Sequence, residues 1–206
     1  MQRENKTHKI AKVDFKLKGK MVFFVTGNIH KFNEVRILLS KHKITAGMLK
    51  TKGIEIQSDN LTEIATASAI DAFKRCHLPL IVEDAGLFVE VLSGFPGPYS
   101  AYTYKTLGNT GLLKLLENVK NRKATFKSTI AYCDNNAGKV CCFEGQSIGE
   151  ISTREEKKSG DSAFGFDPVF IPKGDKKTFA QMSIAEKNGF SHRAMAIHKF
   201  AKWYKT

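Results

Sequence analysis

Met21-Val-Phe-Phe-Val25 followed by Thr26-Gly-Asn-Ile-His-Lys31 decides the fold class. Five apolar residues bounded by a glycine turn read as a strand buried on both faces. After the break at Gly27 and Asn28, Lys31 to Lys41 carries Phe32, Val35, Leu38 and Leu39 at helical spacing. The same order recurs downstream. Asn60-Leu-Thr-Glu63 predicts a capping box. The helix it opens carries Leu61, Ile64, Ala65, Ser68, Ala72, Phe73 and Cys76 on one face and stops before Pro79. Leu80-Ile-Val82 then reads as a second buried strand, with Glu83 and Asp84 at its carboxyl end and a turn at Ala85-Gly86. Gly94 to Pro98 predicts a rigid loop, and Thr110 to Val119 a helix. Phe126, Ser128, Ile130 and Tyr132 share one face of a strand. Asn135-Asn-Ala-Gly138 turns it back into Lys139 to Phe143. A last helix opens near Ser191 and carries Ala194, Ile197, Ala201 and Tyr204. Alternating strands and helices followed by a hairpin predict an α/β fold with a mixed sheet.

The chain has 206 residues, 42% hydrophobic and 26% charged, enough to bury a core without disulfides or metal staples. No apolar run approaches the ~20 residues of a membrane-spanning helix. The formal net charge of +13 points to an anionic partner without choosing which. Residues 1–20 hold seven Lys/Arg against two acids and lack an apolar signal core, so they read as a solvated basic extension. Val13, Phe15 and Leu17 alternate with polar residues, which leaves an added strand open. Cys76, Cys133, Cys141 and Cys142 form no CxxC pair, so a zinc site is not expected, and a reducing, cytoplasmic setting is.

Four segments carry candidate chemistry. Thr26, Gly27, Asn28, Ile29, His30 and Lys31 sit between a strand and a helix, where free N–H groups, the helix dipole and a lysine suit a phosphate. An ordinary turn capped by Asn28 is the plainer alternative. Glu83 and Asp84 point to opposite faces of a strand, so only one enters a cleft. A buried carboxylate there is costly unless a cation relieves it. Mg²⁺ suits that role, with Glu55 as a second ligand. Phe164, Gly165, Phe166 and Asp167 put aromatics beside an acid, as a flat heterocycle would require, or as a core would. Lys187, His192 and Arg193 lie within seven residues around a helix cap, and would clamp an anion or lie solvated on a surface helix.

The ordered set TGNxxK, an upstream Glu, EDxG, FPGPYS, FGFDP, AEKN and SHR resembles the inosine triphosphate pyrophosphatase family, also called Ham1-like. The likeness runs from Met21 to about Tyr204. The stretches Ile81 to Ala101 and Ser162 to Arg193 look closest to archaeal members. The resemblance implies a single catalytic domain over 21–206, with 1–20 outside it. It implies a long twisted mixed β-sheet with flanking helices forming two lobes around a central cleft, and a homodimer. It implies Mg²⁺-dependent hydrolysis of ITP, dITP and XTP to the monophosphate and pyrophosphate, with no membrane and no specific nucleic acid as partner. By position, Thr26 to Lys31 would hold the phosphates, and Glu55 and Asp84 the metal. Asp84 would be the general base. Phe164 would stack on the base with Asp167 nearby, and Lys187, His192 and Arg193 would contact base and phosphate. Ala85 replaces a Ser or Thr common in the family, and Ser68 a longer polar residue that reaches substrate in some members. A broad nucleoside triphosphate pyrophosphatase of related fold is the competing enzyme reading. A nucleic-acid-binding protein is the competing reading of another class, which the dispersed basic residues and missing recognition motifs weigh against.

Overall fold

The computed structural model describes residues 20–51, 53–134, 139–156 and 164–206. The basic extension before Lys20, the turn expected at 135–138 and the segment 160–162 lie outside the described residues. Strand β1 (Lys20–Val25) leads into helix α1 (Ile29–Lys41), and β2 (Ile44–Leu49) follows. Next come α2 (Leu61–Cys76), β3 (Leu80–Val89), a two-residue β4 (Pro96–Gly97), α3 (Ser100–Thr106) and α4 (Gly108–Leu115). The hairpin strands β5 (Lys123–Cys133) and β6 (Cys141–Ile151) precede β7 (Phe170–Pro172), α5 (Ile184–Phe190) and α6 (His192–Lys205). One sheet runs in the order β2-β1-β3-β5-β6-β7, with β4 also paired to β3. β2, β1 and β3 are parallel; β5, β6 and β7 are antiparallel.

Side-chain alternation sorts the core into layers. From β1, Val22 and Phe24 pack under α1 and α6 with Ile81, Ile130 and Tyr132. Phe23 and Val25 lie on the opposite face under α2, with Leu80, Val82, Ala131 and Cys133. β1 is therefore apolar from Met21 to Val25 because both its faces are covered there. Farther along, Leu87, Val89 and Phe126 join Phe166, Val169, Phe170 and Phe179 in a second lobe.

Several local expectations shift. α1 starts two residues earlier than expected, and α4 ends at Leu115 rather than Val119. Asn60 caps α2 as expected, its Oδ1 accepting from Thr62 N–H at 2.8 Å. The reciprocal half of that capping box is not made, because Glu63 accepts from Ser58 Oγ at 2.7 Å instead. The largest change is β3. Glu83-Asp84 do not end the strand at a turn; the strand runs on for ten residues to Val89, every one paired with β5. Its other edge is shared. β1 accompanies β3 only through Val82, and β4 joins at Leu87. Glu83 to Gly86 thus have a strand neighbour on one side only, which leaves a gap in the sheet between β1 and β4. Gly86 is needed there, since a Cβ at this position would stand 2.2 Å from the Gly97 carbonyl oxygen of β4.

Candidate active site

The turn after β1 delivers α1 to this gap. Asn28 Oδ1 accepts from the N–H groups of His30 and Lys31 at 2.9 and 3.2 Å, and Asn28 N–H donates to Thr26 Oγ1 at 3.1 Å. The plainer expectation of a capped turn is met. Two backbone donors of the turn, Gly27 and Ile29, find no acceptor among the described residues. Gly27 leaves open space where a side chain would stand.

Strand alternation aims the two acids apart. Glu83 faces α1 and α6, in parity with Ile81, and Asp84 faces α2, in parity with Leu80 and Val82. Glu83 is fully enclosed and accepts from Ser128 Oγ at 2.8 Å and Arg193 Nε at 2.7 Å. Lys31 Nζ lies 3.2 Å from its other oxygen. Burial alone would raise the Glu83 pKa, but Arg193 and Lys31 overcome it and hold the carboxyl far below the usual range. Asp84 goes the other way. Burial pushes its pKa up to about 6, Lys31 opposes, and the like charges of Glu83 and Glu55 add to the rise. Its Oδ2 is buried with no hydrogen-bond partner among the described residues. Such a group is costly to leave unmatched.

Glu55 sits on an exposed loop that α2 holds in place. Asp71 accepts from Ile54 N–H at 3.2 Å, and Ser68 Oγ donates to the Ile54 carbonyl at 2.6 Å. Ser68, too short to reach a substrate, instead fixes the segment carrying Glu55. Two oxygen donors beside a polyanion site fit a hard divalent cation: the orphaned Asp84 oxygen needs a positive partner, and Mg²⁺ typically takes one or two carboxylates plus phosphate oxygens.

A chain of alternating charges runs from Glu83 to the far wall. Arg193 donates from Nε to Glu83 and from Nη1 to Glu34. Glu34 accepts from Lys187 Nζ at 2.7 Å, and Lys187 reaches Asp167 at 2.8 Å. Glu34, on α1 three residues after Lys31, is 3% exposed and joins α5 to α6. Burial works against its charge, yet Arg193 and Lys187 hold its pKa below the ordinary value. Those carboxylates in turn raise Lys187 and Arg193 despite burial.

This arrangement engages much of that wall within the protein itself. Lys187 and Arg193 are 2% exposed, and each spends two donors on carboxylates. Asp167 is also buried, accepting from Phe164 N–H at 3.0 Å as well as from Lys187. Phe166, grouped with the base platform by sequence, is 3% exposed and packs in the second core edge-on to Tyr104, so it faces no ligand. Gly165 takes a positive φ of +61°, and its carbonyl accepts weakly from Asn109 at 3.4 Å. Phe164, by contrast, is half-buried and meets the site residues. His30 stacks on it at 5.8 Å between centroids, with Lys187 Nζ at 5.1 Å and Arg193 Cζ at 5.3 Å. His192 is buried and stacked on Phe126 at 4.7 Å. Its Nδ1 has no partner among the described residues, and burial followed by Arg193 keeps the imidazole neutral. A cavity of about 660 Å³ near the start of α2, lined by Asn60, Thr62, Thr129 and Glu144, contains none of these groups.

Sequence reading missed Glu34 and the enclosure of Glu83. The available signal was a glutamate next to Val35 on the inward side of α1, one turn from Lys31. Its partners lie more than 150 residues away.

The sequence pattern of the Ham1 family matches residues 22–203. The dITP/XTP pyrophosphatase of Methanopyrus kandleri is 46% identical over 184 residues, covering 89% of this chain and 96% of that one. The dITP/XTP pyrophosphatase of Thermococcus kodakarensis is 47% identical over 182 residues, covering 88% and 96%. Among solved structures, a HAM1 protein from Coxiella burnetii superimposes with a TM-score of 0.78 at 27% identity, covering 90% of this chain and 98% of that one. The Staphylococcus aureus Ham1 protein superimposes with a TM-score of 0.76 at 26% identity.

Proposed function

The chain belongs to the Ham1 family, and from that premise we propose that it hydrolyses dITP, ITP and XTP to the monophosphate and pyrophosphate. One observation carries the reading. Asp84 is a half-enclosed carboxylate with a pKa pushed up to about 6, on the open edge of β3, within electrostatic reach of Lys31 and Glu55. A base poised near neutral pH, beside a lysine-tipped helix end, suits attack by water on a polyanion.

In the proposed reaction, water attacks the α-phosphorus, Asp84 accepts its proton, and the bond to the bridging oxygen of the β-phosphate breaks. Lys31 and the unpaired N–H groups of Gly27 and Ile29 would stabilise charge growing on the leaving pyrophosphate. Glu55 and Asp84 would hold Mg²⁺, which supplies charge neutralisation and a more acidic water when bound. The base would lie against Phe164, with His30 moving from that ring to admit it. The donors left on Lys187 and Arg193 would meet a 6-oxo acceptor. The 6-amino group of adenine is itself a donor, and a site built around a required hydrogen bond discriminates ~10⁴-fold or more. Glu34 would fix both cations in register.

A homodimer in the cytoplasm belongs to the same reading. Phe95, Tyr99, Tyr102 and Leu107 leave apolar surface exposed. The cysteines form no disulfide among the described residues, as a reducing compartment would keep them. No described helix is long and apolar enough to cross a membrane. Release of pyrophosphate from dITP, ITP, XTP, GTP and ATP, with and without Mg²⁺, tests the reading; equal turnover of all five would favour a broad pyrophosphatase instead.

A further inference from the structure

The excess positive charge is dispersed in sequence and gathered by the fold. α1 ends at Lys41, His42 follows as its C-cap, and Lys43 leads into β2. α6 closes the chain through Lys199, Lys202 and Lys205, and β1 begins at Lys20. Side-chain and backbone contacts bring these ends together. His42 Nε2 and His198 Nδ1 stand 2.7 Å apart. Lys20 Nζ donates to the Tyr204 carbonyl at 2.5 Å and lies 5.4 Å from that ring's centre. Lys20 also pairs in register with Ile44, the residue after Lys43. Lys41, Lys43, Lys202 and Lys205 are exposed, and among the described residues none has a carboxylate within ion-pairing distance.

The sequence holds no Asp or Glu from Val35 to Ile54, nor from His192 to Thr206. Asp134 is an acid on this side among the described residues; it accepts from Tyr132 OH, and Tyr132 packs on Trp203 and Tyr204. The positive potential is felt locally: burial, His198 and the charge of Lys205 together lower the His42 pKa. Lysines massed without counter-charges repel one another, and a polyanion relieves that repulsion. The apolar stripe of α6 is already spent, since Ala194, Ile197, Phe200 and Ala201 are buried against the sheet. Little remains to insert into a bilayer. Trp203, although 41% exposed, packs on Tyr132 and Phe143 on the side of α6 away from His198 and Lys205. The same end leads into residues 1–19, with six Lys/Arg against two acids.

We propose that Lys20, Lys41, Lys43, Lys202 and Lys205 form a surface that binds single-stranded nucleic acid through its backbone, without sequence preference. The cleft residues stand at the amino-terminal ends of α1 and α6 and the lysines at the carboxyl-terminal ends, about 18 Å along α1. Occupying this surface therefore leaves the catalytic gap open.

The test is fluorescence anisotropy of labelled 20-nucleotide rU and dT strands with the full chain, titrated from 50 to 300 mM KCl. Binding should weaken linearly in log salt, by roughly 0.7 per phosphate contacted. The variant Lys41→Gln, Lys43→Gln, Lys202→Gln, Lys205→Gln should lose about 3 from that slope and bind on the order of 10²–10³-fold more weakly near 0.1 M salt. Pyrophosphate release and thermal midpoint of the lysine variant should match the parent. An unaltered slope in that variant overturns the proposal, as does absence of salt-dependent binding to either strand. So does binding to phosphatidylserine-containing vesicles with none to the oligonucleotides.

Discussion

Replacing Asp84 by Asn should abolish the chemistry and strengthen the fold. The pKa of Asp84 rises from 3.8 to about 6 on folding, first through burial and then through Glu83 and Glu55, with Lys31 recovering only part. Each unit corresponds to about 1.4 kcal/mol, so the ionised carboxylate costs the fold about 3 kcal/mol. The sign follows from proton linkage. The folded state binds the proton more tightly, so this group's contribution is most favourable below about pH 4. It falls as pH rises to about 6 and stays low above. Asn does not titrate and keeps the shape. At pH 8 the variant should therefore be about 2–3 kcal/mol more stable, or roughly 5–10 °C higher in Tm for a chain of this size. The gap should close near pH 3.5. Glu83 titrates in both proteins and cancels. Urea unfolding of parent and variant at both pH values measures the difference, and kcat at pH 8 should fall at least ~10²-fold. A variant no more stable at pH 8 than at pH 3.5, relative to the parent, would refute the claim that Asp84 is held charged against its surroundings.

Glu34→Gln removes the charge that Lys187 and Arg193 share, and should cost about 3 kcal/mol; a loss below about 1 kcal/mol in urea unfolding would show that the remaining carboxylates suffice. Gly86→Ala drives a methyl group toward the Gly97 carbonyl and should cost about 1–3 kcal/mol, together with loss of the Leu87 N–H to Ser100 Oγ bond at 2.8 Å. Amide exchange at Leu87 reports the second effect. Glu55→Gln should raise the Mg²⁺ needed for half-maximal rate by about tenfold or more while leaving the rate at saturating Mg²⁺ near that of the parent; an unchanged Mg²⁺ titration removes Glu55 from that role.

What the sequence reveals here is what short-range physics determines. β1 and its turn, α2 with its Asn60 cap, the β5–β6 hairpin and α6 with its Ser191 cap all follow from apolar periodicity and capping residues. β3 exceeds its expected length because its continuation depends on partners elsewhere. Glu83-Asp84-Ala85-Gly86 resembles a strand end, with two acids and a glycine. It remains a strand because β5 pairs every residue, Arg193 and Lys31 neutralise Glu83, and Gly86 lets β4 approach. The site divides the same way. Asn28 and Lys31 are legible as a turn that suits an anion. That Phe166 turns into the core while Phe164 faces the site depends on β7 and on the buried Asp167, which no local pattern encodes. The fate of Lys187 and Arg193 depends on Glu34 in a distant helix.

Product analysis of dITP or XTP hydrolysis by the parent chain and by Asp84→Asn examines the central claim most directly. Stoichiometric pyrophosphate and nucleoside monophosphate are expected from the parent with Mg²⁺, and the variant should lose turnover while nucleotide still binds. Release of single phosphates with nucleoside diphosphate, or equal pyrophosphate release by both proteins, would contradict it.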